Sequence, residues 1–187
     1  MAVSVSFCMN LTWDTAIGED ELVSDIERFR ADILAAADRF GALNGTIIVR
    51  APNVPDVRVE DEIEPTIQNI CFLAIPTLLA KQHVVVRYFS YPGYFRLDPE
   101  GLKVLISGDN IPSVRVDYQE FVTALSACGE RFIAFLRKLV GDTPEGIDRV
   151  QYLEKYADTA RQALLAQKWP EFVAIAGQIE QRAASQA

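Results

Sequence analysis

The sequence predicts an α+β fold: a mixed, largely antiparallel sheet of four to six strands, helices packed on it, and a helical C-terminal third. Three observations carry this. Apolar residues alternate at the N-terminus, short β-branched and aromatic segments crowd residues 83–116, and helical spacing dominates after residue 117. Nothing resembling a linker divides the 187 residues, so 1–187 reads as one domain.

Val3, Val5, Phe7, Met9, Leu11 and Trp13 alternate, as in a half-buried strand long enough to need a bulge or bend. Leu22, Ile26, Phe29, Ile33, Ala36 or Ala37, and Phe40 then step by three and four, which predicts one amphipathic helix. Glu19, Asp20 and Glu21 suit its positive N-terminal end, and Gly41 suits its C′ position. Gly45–Arg50 reads as a second strand. Residues 51–64 hold two prolines and a run of acids, predicting an irregular exposed connection with a short edge strand at Val57–Val59. Pro65 is placed to open a helix carrying Ile67, Ile70, Cys71, Ala74, Leu78 and Leu79, which Pro76 should kink.

Strands are predicted at His83–Phe89, Tyr94–Asp98, Leu102–Ser107 and Ile111–Val116, with Tyr91-Pro92-Gly93-Tyr94 as a type II turn. Their close spacing implies an antiparallel meander. Asp117 and Glu120 open a long helix with Phe121, Leu125, Cys128, Phe132, Phe135, Leu136 and Leu139 on one face. Thr143-Pro144 starts the next, with Ile147, Val150, Leu153, Ala157, Ala160 and Leu164. Trp169-Pro170 precedes a last short helix with Phe172, Ile175, Ala176 and Ile179.

The formal net charge is −8. Residues 1–75 carry 13 acids against five arginines, whereas the remainder carries 13 of each sign. Such a field repels nucleic acid and anionic lipid and attracts a basic partner. No apolar stretch approaches the roughly 20 residues that span a bilayer, and the N-terminus lacks the basic start of a signal peptide. Cys8, Cys71 and Cys128 are widely spaced and read as reduced thiols, which predicts a cytoplasmic protein.

Chemistry-bearing patterns are sparse. His83 is the single histidine, no G-x-S-x-G elbow or phosphate-cradling glycine loop occurs, and one histidine with three scattered cysteines does not make a zinc site. The expectation is therefore a protein that is not an enzyme and takes no metal or cofactor. Two features stand out. Residues 88–95 hold five of the 18 aromatics, between Arg87 and Arg96, which suits a protein-binding hot spot. Asp56, Glu60, Asp61, Glu62 and Glu64 form an acidic stretch suited to steering a basic partner, with Tyr88, Tyr91 and Tyr94 as its anchors.

Residues 87–112, RYFSYPGYFRLDPEGLKVLISGDNIP, and 124–139, ALSACGERFIAFLRKL, resemble a small family of bacterial proteins. In type the chain is similar to cytosolic immunity proteins. That resemblance implies tight inhibition of a cognate toxin, a nuclease or other effector, whose active site an acidic, aromatic surface covers. Two alternatives remain open at this point. One is a small enzyme whose site gathers His83, Arg87, Arg96 and Asp109. The other is a structural subunit of a homo-oligomer, so the expected state is monomer or homodimer.

Overall fold

The computed structural model describes residues 2–167 and Trp169. Alternation in Ser4–Asn10 produces strand β1, whose Val5, Phe7 and Met9 are buried. The chain then turns, with Leu11 N–H donating to the Thr15 carbonyl at 2.8 Å, and returns as the three-residue β2, Ala16–Gly18. The bend expected in a long first strand is thus a hairpin. Trp13, which the alternation assigns to the core, sits on its tip and is 86% exposed.

The first helix is interrupted. α1 covers Glu19–Ser24 and α2 Ile26–Phe40, separated by Asp25 at φ −150°. An aspartate competes well for this role: its carboxylate accepts from the Arg28 N–H at 3.4 Å and caps the second helix. Gly41 closes α2 in the left-handed conformation. Strands β3 (Asn44–Arg50) and β4 (Val57–Glu62) follow, all antiparallel, in the order β2-β1-β3-β4. The acidic residues 60–62 therefore lie in an edge strand, which corrects the expectation of an irregular connection through residue 64. Val57, Val59 and Asp61 point inward, and Arg58 and Glu60 outward.

Ile63–Ile67 (α3) and Ala74–Leu79 (α4) are joined by a π-helical turn, Gln68–Leu73. The widened turn lies just before Pro76, whose ring cannot sit in a regular helix without losing a hydrogen bond. Here Ile70, Cys71 and Phe72 are consecutive and all buried, because this segment packs against two later helices.

β5 (Val84–Arg87), β6 (Tyr94–Glu100), β7 (Lys103–Gly108) and β8 (Val114–Asp117) form the expected meander, in chain order. It is a second sheet of four, so the α+β class holds with the strands divided between two sheets. α5, Tyr118–Val140, is capped by Asp117, whose carboxylate accepts from the Glu120 N–H at 3.1 Å. α6, Pro144–Ala166, is capped by Thr143. Every apolar residue predicted on the α5 face is buried. Its Phe132 ring meets Phe7 of β1 edge-on at 5.2 Å, and one contiguous apolar core includes residues of both sheets and both long helices. On α6, Val150, Leu153, Ala157 and Ala160 are buried as expected, while Ile147 is 42% exposed. The short helix expected at Phe172–Ile179 lies outside the described residues. No helix among the described residues is long and apolar enough to cross a membrane.

Because β2 is so short, Ser4–Phe7 has no neighbouring strand on that side among the described residues. Side chains take its place. Val3 N–H donates to Glu120 at 2.8 Å, Phe7 N–H to Glu19 at 3.3 Å, and the Val5 carbonyl accepts from Arg131 at 2.7 Å. Glu19 and Arg131 are themselves ion-paired. Exposed strand edges recruit other strands, and charged side chains of this kind blunt them.

Candidate functional site

The aromatic segment predicted as an anchor forms the loop between β5 and β6. It is built by carboxylates. Asp61, at the inward-facing end of β4, is only 3% exposed. Its Oδ2 accepts from the Phe89 N–H at 2.6 Å, and its Oδ1 accepts from the Ser90 N–H at 2.8 Å and the Ser90 hydroxyl at 2.5 Å. Burying a carboxylate is costly unless donors surround it, and three donors from one loop meet that need. On the opposite side, Asp109 Oδ2 accepts from the Tyr94 N–H at 2.9 Å. The loop closes through Tyr88 N–H to the Gly93 carbonyl at 3.2 Å, with Gly93 at a positive φ of 148°. That φ is more extended than the roughly +80° of a type II turn.

Inside the loop, the Tyr88 and Tyr91 rings stack with centroids 4.4 Å apart. Tyr88 hydroxyl donates to the Asp109 carbonyl at 3.4 Å, and Tyr91 hydroxyl to the Glu60 carbonyl at 3.2 Å. Tyr88 is buried, whereas Phe89, Tyr91 and Tyr94 present large exposed faces. Burial, and then the neighbouring Tyr91, push the Tyr88 phenol far above its ordinary range; burial does the same to Tyr118 at the start of α5. Unfolded tyrosine ionises near pH 10, so the folded form holds protons that the unfolded chain releases above that pH. Stability is therefore expected to be intact below about pH 10 and to fall as pH rises beyond it. Denaturant midpoints taken across this window, followed by phenolate absorbance, check the sign.

The acidic stretch does not form one anionic face. Asp61 is internal. Asp56 pairs with Arg50 at 3.2 Å, and Glu64 pairs with Arg149 of α6. Glu62 lies at the end of β4, where its carbonyl accepts from the Thr66 hydroxyl at 2.6 Å. Glu60 points outward and accepts from Asn10 Nδ2 at 2.8 Å, which joins it to the tip of β1.

A groove of about 440 Å³ lies where these parts meet. Glu60, Asp61, Ser90 and Tyr91 form one wall. Asn10, Thr12 and Trp13 of the first hairpin form the other, and Phe40 at the end of α2 and Asn44 close the base. Trp13 packs edge-to-face on Phe40 at 5.8 Å. Among the described residues, no lysine or arginine lines the groove. Trp13, Asn10 and Phe40 are site residues that sequence reasoning missed; an aromatic at the end of an alternating run was the one available signal, and it reads equally as core.

The arginines predicted for an alternative active site are also brought together, but elsewhere. Arg87 and Arg96 border a second depression, of about 580 Å³, on the far side of the same loop, with Tyr88, Tyr91 and Tyr94. Arg96 is paired with Asp98 at 2.7 Å. Neither His83 nor Asp109 lines this depression; His83 is exposed just ahead of β5. Among the described residues, no group of three or more histidines, cysteines, aspartates or glutamates has the arrangement of a metal site.

No family model, curated protein or solved structure matches this chain. The reading of the site therefore rests on its geometry and chemistry.

Proposed function

We propose that the chain is a binding protein that captures and neutralises a basic protein partner, in the manner of an immunity protein covering the active site of a cognate toxin. One observation carries this reading. The acidic edge strand and the aromatic loop, about thirty residues apart in sequence, are locked together by Asp61 and bound a groove that contains carboxylates and, among the described residues, no basic side chain. Exposed Phe89 and Tyr91 and the projecting Trp13 supply the rigid rings that anchor most tight interfaces. Their backbone is already held, so little ordering entropy is lost when a partner docks. The excess of acid over base in residues 1–75 adds long-range attraction for a cationic surface.

The test uses the product of the gene adjacent to the one encoding this chain, purified and mixed with it. Tight association that blocks the partner's activity is the expected result. In that complex, Glu60→Gln with Glu62→Gln should slow association by about tenfold at low salt and flatten its salt dependence, leaving dissociation little changed. Stopped-flow kinetics at several salt concentrations read this directly, and an unchanged on-rate would remove these carboxylates from the contact surface.

A further inference from the structure

We infer that the groove between the first hairpin and the Asp61-pinned loop is a receptor for an arginine side chain carried on the surface of the partner protein, an inference that rests on the binding reading above. The juxtaposition is specific: aromatic walls from Trp13 and Tyr91 flank hydrogen-bond acceptors, and no lysine or arginine among the described residues lines the groove beside them.

The acceptors can be followed atom by atom. Glu60 uses Oε1 to accept from Asn10 Nδ2, and its side chain is exposed. Asn44 spends its amide nitrogen on the Ala42 carbonyl at 3.3 Å, which turns its side-chain oxygen away from that bond. Asn10 likewise directs its nitrogen at Glu60. Each of these two amides thus commits one of its two N–H donors to the protein itself, while the Glu60 carboxylate retains acceptor capacity. A carboxylate beside open aromatic rings favours a ligand with several donors and no acceptor, which describes a guanidinium.

The rings make the same selection. One face of Tyr91 is covered by Tyr88, and the ring remains 38% exposed. Trp13 packs edge-to-face on Phe40 and is otherwise largely exposed. Phe40 already has a cation of the protein near it, the Arg39 guanidinium at 5.9 Å from its centroid, so the incoming group is assigned to Trp13 and Tyr91. A planar guanidinium stacks on aromatic faces while its edge donates to a carboxylate; an ammonium is a hydrated point charge without that geometry. Lysine is accordingly the poorer occupant.

The experiment titrates two blocked peptides, Gly-Arg-Gly and Gly-Lys-Gly, into the isotope-labelled full chain and follows its NMR spectrum. The arginine peptide is expected to move the Trp13 indole N–H and the backbone amides of Asn10, Asn44 and Tyr91, and to bind about fivefold or more tightly than the lysine peptide. Glu60→Gln should weaken the arginine peptide by about tenfold, and Glu145→Gln, at an exposed position on α6, should leave it unchanged. Trp13→Phe, a substitution at an exposed tip, should weaken it with the spectrum otherwise preserved. Stationary Trp13 and Tyr91 resonances, shifts located elsewhere, or equal binding of the two peptides would each overturn the assignment. Its failure is separable from that of the binding reading. An adjacent gene product that associates with salt-dependent kinetics while Trp13 stays unperturbed removes the arginine receptor and leaves the inhibitor. Arginine-peptide binding without such association does the reverse.

Discussion

Replacing Asp61 by alanine is expected to cost about 3–5 kcal/mol of stability and to release the aromatic loop. The carboxylate receives three donors, two of them backbone N–H groups that no other residue is placed to satisfy. Removing it leaves both half-buried amides without that acceptor, which costs more than the net value of the bonds themselves. Asp61→Asn is instructive beside it, because the amide oxygen keeps one acceptor while its NH2 meets a donor. It should fall between wild type and alanine. Urea midpoints give the energy, and hydrogen exchange at Phe89 and Ser90 shows whether the loss is local. Normal protection at those amides in the alanine variant would refute the pinning role. Because the stacked Tyr88 and Tyr91 are part of the same loop, the alanine variant should also bind its partner weakly even where it remains folded.

The second large effect lies in the core. Gly129 of α5 faces the π-helical turn, and a Cβ built there would stand 2.4 Å from Cε1 and 2.5 Å from Cζ of Phe72, and 3.0 Å from the Cβ of Cys71. Phe72 and Cys71 are fully enclosed and have no room to retreat. Gly129→Val is therefore expected to destabilise by about 3 kcal/mol, although valine is the better helix former of the two. Thermal and urea unfolding measure the sign as well as the size. A stabilised variant would mean that α5 and the turn approach less closely. The Cys71 thiol, pushed up by burial and then by its neighbour Cys128, should become more reactive toward thiol reagents if the variant loosens this contact.

Much of the architecture was legible because it depends on short-range patterning. The buried face of α5, the caps at Asp117 and Thr143, and the meander from residue 84 to 117 follow from spacing and turn chemistry alone. The misreadings share a cause. Val57-Arg58-Val59-Glu60-Asp61 alternates like any edge strand, but its last inward position is an aspartate. A buried aspartate makes sense only with Ser90 beside it, 29 residues away. Trp13 continues an apolar alternation without a miss, yet the chain has already turned at Leu11 to make a hairpin. Asp25 interrupts a helical stripe whose apolar spacing shows no break, because capping is decided by one side chain and not by periodicity. The same holds for the site. Both of its sequence signals, acid and aromatic, were visible separately; their meeting in one groove with Trp13 and Asn10 is a product of tertiary contacts.

The wide turn at Gln68–Leu73 has an implication for how this chain tolerates changes of length. A π turn is what an ordinary helix becomes when it absorbs one extra residue. A residue of an α-helix advances about 100° around the axis, whereas a residue of the wider turn advances less, so Gln68–Leu73 covers about the rotation that one residue fewer would cover in an α-helix. Excising a single position there would restore uninterrupted α geometry and leave Ala74 onward nearly in phase with Ile63 and Ile67, so that Ile75 and Leu78 keep facing the interior they now occupy. The surplus residue is therefore slack in the rod, and the fold is more forgiving of lost length where its helix looks irregular than within its regular turns.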